Sequence, residues 1–150
     1  MAKINHPKIT PFLWFETNGR EGAEYYTNIF PDSRIISQVP MVTTFELCNQ
    51  RFSILEAGPH DAFNDAISFY VDCKDQEEVD YYWNTFINDG GKASMCGWLQ
   101  DKYGVRWQII PEILIRLSND PNAEKAKKVV NAMMKMSKII VAELEEAYQN

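Results

Sequence analysis

The residues best suited to hold a small molecule lie in two stretches, AISFYVDC at 66–73 and GVRWQIIP at 104–111. Strict alternation in the first puts Ile67, Phe69, Val71 and Cys73 on one side and Ala66, Ser68, Tyr70 and Asp72 on the other, the pattern of a half-buried strand. In the second stretch Trp107 and Ile109 belong with the apolar side, which leaves Arg106 and Gln108 with the polar one. A hydroxyl, a phenol, a guanidinium and an amide on the inner face of a curved sheet suit a small-molecule cleft. The competing expectation is a solvated face, or one closed off by a partner chain.

Nucleophiles and imidazoles add little to this. Cys96 opens the segment CGWLQD, but a reactive thiol needs a neighbouring base or positive end, and no histidine is close in sequence. A buried structural cysteine is expected there, with Asp101 and Lys102 forming a turn. Trp98 and Trp107 are expected in the core, although either could line the mouth of a cleft. His6 and His60 fall before the first strand and in a loop after the fourth, as exposed loop histidines. The three cysteines are widely separated and contain no CxxC pair, which argues against a structural zinc knuckle and for reduced thiols in a cytoplasmic protein.

The elements that must position these groups come in a repeating order. EYYTNIF at 24–30 returns as DYYWNTF at 80–86, an offset of 56 positions (80 minus 24). The first copy sits on a helix expected over 21–30, after a strand at 9–16 and before strands at 34–42, 43–48 and 51–57. The second sits on a helix opened by Asp75, with Glu78 three residues on as in a capping box, and closed at Asp89-Gly90-Gly91. It follows the 66–73 strand and precedes strands at 92–100 and 104–111. Each half therefore reads β-α-β-β-β, within one domain of 150 residues made of modules 9–57 and 66–110 and a helical tail 111–150. In that tail Val129, Met133, Met136, Ile140 and Leu144 recur at helical spacing, with an interruption near Ser137.

The net charge of −6 and pI near 4.9 provide no basic footprint for nucleic acid or an anionic membrane. No apolar run reaches the roughly 18 residues of a spanning helix, and MAKINHPKITPF lacks a signal-type core.

Duplicated β-α-β-β-β modules resemble the vicinal oxygen chelate superfamily, which includes glyoxalase, bleomycin-resistance and extradiol-dioxygenase proteins. The segments ITPFLWF, YTNIFPDSRI, AISFYVDCKDQEEVDYYWNTFINDGG and CGWLQDKYGVRWQIIP resemble its PhnB-like family, and NAMMKMSKI at 131–139 is similar to that family's tail. The resemblance implies an α+β fold in which two modules form a curved mixed sheet, followed by C-terminal helices. It does not bring support for the ubiquinone-pathway methyltransferase label some relatives carry. Glu16-Thr17-Asn18-Gly19-Arg20 after the first strand is no glycine-rich cofactor loop, and two modules leave no room for a nucleotide-binding sheet.

Enzymes of the superfamily hold a divalent metal on the concave sheet with His, Glu or Gln from four strands. Carried over, those positions fall near Pro11, on Ala66 or Ile67, at Glu56 within one residue, and at Gln108. Two oxygen donors, one of them neutral, make a poor cage for zinc, nickel or iron. The expectation is thus no cofactor and no conventional metal site, with a divalent ion completed by water or substrate left open. The ligand-binding set is Glu56, Ser68, Tyr70, Arg106 and Gln108, the catalytic residues are unassigned, and the ligand is a small molecule of unknown identity. A metal-dependent lyase, isomerase or dioxygenase, and a ligand-free dimeric interaction protein, are the alternatives. A homodimer is expected, because the stripe over 129–144 must be buried somewhere and C2 pairing is the commonest solution.

Overall fold

In a computed structural model, which describes residues 6–150, the chain forms two compact units. The first ends at Asp61 and the second covers Ala62–Asn150, and each is built on a four-stranded sheet.

The first unit contains β1 (Phe12–Phe15), α1 (Gly19–Ile29), β2 (Arg34–Val39), β3 (Val42–Leu47) and β4 (Gln50–Glu56). Its strand order is β1-β4-β3-β2, with β1 parallel to β4 and the other pairs antiparallel. Alternation decides which face is covered: Leu13, Phe15, Phe45, Leu47, Phe52 and Ile54 are buried on one side. There α1 lays down Ala23, Tyr26 and Ile29, and the Tyr26 ring stacks on Phe45 at 6.2 Å. Glycine is required at Gly22 for this approach, since a Cβ there would stand 2.6 Å from Cε2 of Phe15.

The second unit repeats the scheme with β5 (Phe69–Cys73), α2 (Gln76–Asn88), β6 (Lys92–Ala93), β7 (Trp98–Gln100) and β8 (Arg106–Pro111). The order is β5-β8-β7-β6, again with the first strand parallel to the last. The Asp75 carboxylate accepts from the backbone N–H of Glu78 at 2.9 Å, and Gly90 takes a φ of 112° just beyond the helix, so both ends form as their residues dictate. Val79, Tyr82 and Phe86 are buried, and Phe86 stacks on Trp107 at 5.2 Å. The twin EYYTNIF and DYYWNTF segments thus fall on α1 and α2, the helices in the same place in each strand order.

Some boundaries differ from expectation. The strand expected at 9–16 is only Phe12–Phe15, and the 66–73 strand begins at Phe69. The 92–100 strand is split into β6 and β7, because Cys96 and Gly97 both take positive φ, 60° and 82°, which no ladder accommodates. The tail is three helices, α3 (Glu112–Ser118), α4 (Ala123–Met133) and α5 (Val141–Gln149), with the expected break around Ser137.

The apolar stripe of the tail does not wait for a partner chain. Val129, Met136, Ile139 and Leu144 are buried with Ile110 and Leu114 inside the second unit, and Met133 packs at the edge of that cluster. Ile140, expected in the stripe, is the N-cap of α5, while its neighbour Ile139 is fully buried. The argument for a dimer from an unburied tail therefore loses its premise. Two backbone bonds tie the tail to the β6–β7 connection: Cys96 N–H to the Met136 carbonyl and Gly97 N–H to the Ser137 carbonyl, each 2.8 Å.

Candidate functional site

In the second unit α2 covers one face of the sheet, and on the other face the tail covers Ile110 but leaves the stretch around Tyr70 and Gln108 only partly buried. Trp107, Ile109 and Leu99 are buried on the helix side, as alternation requires. On the opposite face Tyr70 of β5 pairs in register with Gln108 of β8, and Gln108 pairs with Trp98 of β7. These three residues form a row across adjacent strands. Tyr70 is 47% exposed, while Trp98 and Gln108 are half-buried.

Gln108 donates from Nε2 to the Ser68 hydroxyl at 2.8 Å, so two of the expected ligand residues are in direct contact. Trp98, expected in the core, lies on this open face instead, and its indole is a member of the site that residue alternation alone would have placed there. The Tyr70 phenol is pushed above its ordinary pKa, first by partial burial and then by the charges of Asp72 and Cys73. It is a neutral hydroxyl at physiological pH.

Arg106 points to the same face but is engaged. Its Nε donates to the Asp65 carboxylate at 2.8 Å, and its Nη1 donates to the carbonyls of Phe63 (3.2 Å) and Gly104 (2.7 Å). It fastens the loop before β5 to the β7–β8 turn. The turn itself is organised by Asp101, only 1% exposed. Its Oδ1 accepts from the N–H groups of Tyr103 (2.9 Å) and Val105 (3.0 Å), and its Oδ2 accepts from the Trp107 indole at 2.9 Å. The turn expected at Asp101 is therefore built on a buried carboxylate.

Glu56 belongs to the first unit and is occupied there. It alternates with Phe52 and Ile54, which carries it to the helix side, and its Oε1 accepts from the Asn18 N–H at 2.7 Å. Asn18 sits in the left-handed region at φ 61° and its own side chain does not cap α1, so the Glu56 carboxylate serves the helix N-terminus instead. The first unit also holds a cavity of about 270 Å³ lined by Pro7, Glu46, Asn49, Gln50 and Arg51. Arg51 spends Nη1 on His6 at 2.7 Å and faces Glu46 with Nη2 at 3.5 Å, while its Nε is sealed from solvent. The guanidinium is turned inward and offers that cavity no open fork.

These contacts decide how well a metal would fit. Pro11 and Ala66 have no side-chain donor, Glu56 is held by α1, and Gln108 turns its amide nitrogen to Ser68. The donor set does not fit a divalent transition metal. Among the described residues no three His, Cys, Asp or Glu side chains gather within reach of one ion. Of the thiols, Cys73 is buried, and its pKa is pushed up to about 12, mainly by burial and then by Glu78 and Asp72. Cys96 is half-buried and Cys48 exposed.

Paired β-α-β-β-β units of this topology define the vicinal oxygen chelate class. Within that class the chain belongs to the PhnB-like family, and a family model described as 3-demethylubiquinone-9 3-methyltransferase matches residues 7–110. A Bacillus cereus PhnB protein, given the same methyltransferase description provisionally, is 32% identical with a TM-score of 0.64. The alignment covers 70% of this chain and 99% of that one. A Pseudomonas aeruginosa protein matches at 18% identity and TM-score 0.58, over 71% of this chain and 98% of its own. The fosfomycin resistance protein FosX of Listeria monocytogenes matches at 13% identity and TM-score 0.53, over 67% and 87%. The last two likenesses concern the fold. No functionally curated protein matches. The family match ends at residue 110, so α3, α4 and α5, with the 131–139 segment expected to match the family's tail, lie outside it.

Proposed function

We propose that the protein binds a small molecule on the open face of its second sheet, at Ser68, Tyr70 and Gln108, without a conventional metal centre. The observation that carries this is the row of hydrogen-bonding and aromatic side chains left uncovered by α2, held in place by the Gln108–Ser68 bond and by the loop that Arg106 fastens. The methyltransferase description finds no counterpart in the architecture. Both sheets are used by β-α-β-β-β units, and no doubly wound parallel sheet of the kind that binds a nucleotide cofactor occurs among the described residues.

A second reading, a metal-dependent lyase, isomerase or dioxygenase of the glyoxalase type, follows from the class itself. Metal content of the purified protein, measured with a thermal-shift screen of zinc, nickel, manganese and iron(II), separates the two. The proposal expects neither stoichiometric metal nor stabilisation. A tight ion whose retention needs Glu56 and Gln108 overturns it and puts the enzyme reading first.

The proposal includes a homodimer in the cytoplasm. Its support is now the first sheet, whose edge strand β1 exposes Phe12 (58%) and Trp14 (41%). No helix of the described residues is long and apolar enough to cross a membrane. A sedimentation mass of one chain at micromolar concentration overturns the dimer.

A further inference from the structure

We draw no further inference here: the strongest candidate, the apolar row that Trp14, Leu55, Val42 and Val39 form in register across the face of the first sheet opposite α1, carries nothing, because nothing in the structure shows what covers it.

Discussion

Replacing Asp101 by alanine removes the buried carboxylate on which the β7–β8 turn is built. Three donors lose their acceptor at once: the N–H groups of Tyr103 and Val105 and the Trp107 indole, at 2.9, 3.0 and 2.9 Å. Hydrogen bonds to a charged group are worth about 1.5–3 kcal/mol each, which sets a ceiling of about 4.5–9 kcal/mol. Water can reach the two turn amides once the side chain is gone, but the indole is held under α2 by Phe86. The expected loss is therefore about 3–5 kcal/mol, enough to lower the melting temperature by roughly 10 °C in a chain of this size. Asp101→Asn keeps an oxygen for the two amides but sets an NH2 group against the indole, and should cost about 1–3 kcal/mol. Adding Trp107→Phe to Asp101→Asn then removes that donor clash, so the double variant should lose less than the two single losses added together. Urea unfolding followed by tryptophan fluorescence and far-UV circular dichroism measures all four. An Asp101→Ala protein within about 1 kcal/mol of the wild type would refute the claim that this carboxylate holds the turn.

Gly97→Ala should destabilise the second unit by about 2–4 kcal/mol, because φ is 82° and the new Cβ would stand 2.7 Å from Cδ1 of Ile110; a thermal melt unchanged within error would contradict this. Truncation after Asn119 uncovers Ile110 and Leu114 and should lower stability without changing the number of chains per particle seen in sedimentation, since the tail is buried within its own unit; a change in that number would return the tail to an interface. In the native protein at pH 8, Cys48 should react with Ellman's reagent and Cys73 should not, its thiol being buried and its pKa pushed up to about 12; prompt reaction of Cys73 would show that β5 opens. Asp80 is held below the usual carboxylate range by hydrogen bonds from Gln76 and Lys138, so its contribution is present above the unfolded pKa and is lost as pH falls through the lowered folded one. Both partners are partly exposed, so Lys138→Ala should cost less than about 0.5 kcal/mol at pH 7 and nothing at pH 2; a larger loss that persists at pH 2 would show that the stem packing of Lys138 matters more than its charge.

The strand and helix order was readable because its signals are local. Alternation in 66–73, the Asp75 cap and the 56-residue echo each lie within one element or between two copies of one. Alternation also separated Trp107 and Ile109 from Arg106 and Gln108 correctly. What could not be read were partners distant in sequence. Arg106 finds Asp65 and Phe63 across 41 and 43 positions, and Glu56 finds Asn18 across 38, so two residues of the expected ligand set have protein partners that no local pattern announces. Trp98 is misplaced by residue type alone: a large apolar side chain is expected in the core, whereas alternation with the buried Leu99 sets it on the face opposite α2.

Gln76 shows how the tail is kept. Its Nε2 donates to the Ile139 carbonyl at 3.0 Å and its Oε1 accepts from the Val141 N–H at 2.6 Å, so one side-chain amide engages the backbone on both sides of Ile140. It also donates to Asp80 at 2.9 Å. The group behaves as a peptide unit borrowed from α2 and inserted where the chain turns into α5. Such a joint is vulnerable to chemical ageing. Deamidation would leave the outline of the side chain intact while turning its donor into a second acceptor, opposite both the Ile139 carbonyl and the Asp80 carboxylate. A one-dalton change at residue 76 would then loosen the α4–α5 junction, and an old preparation should exchange its Val141 amide proton faster than a fresh one.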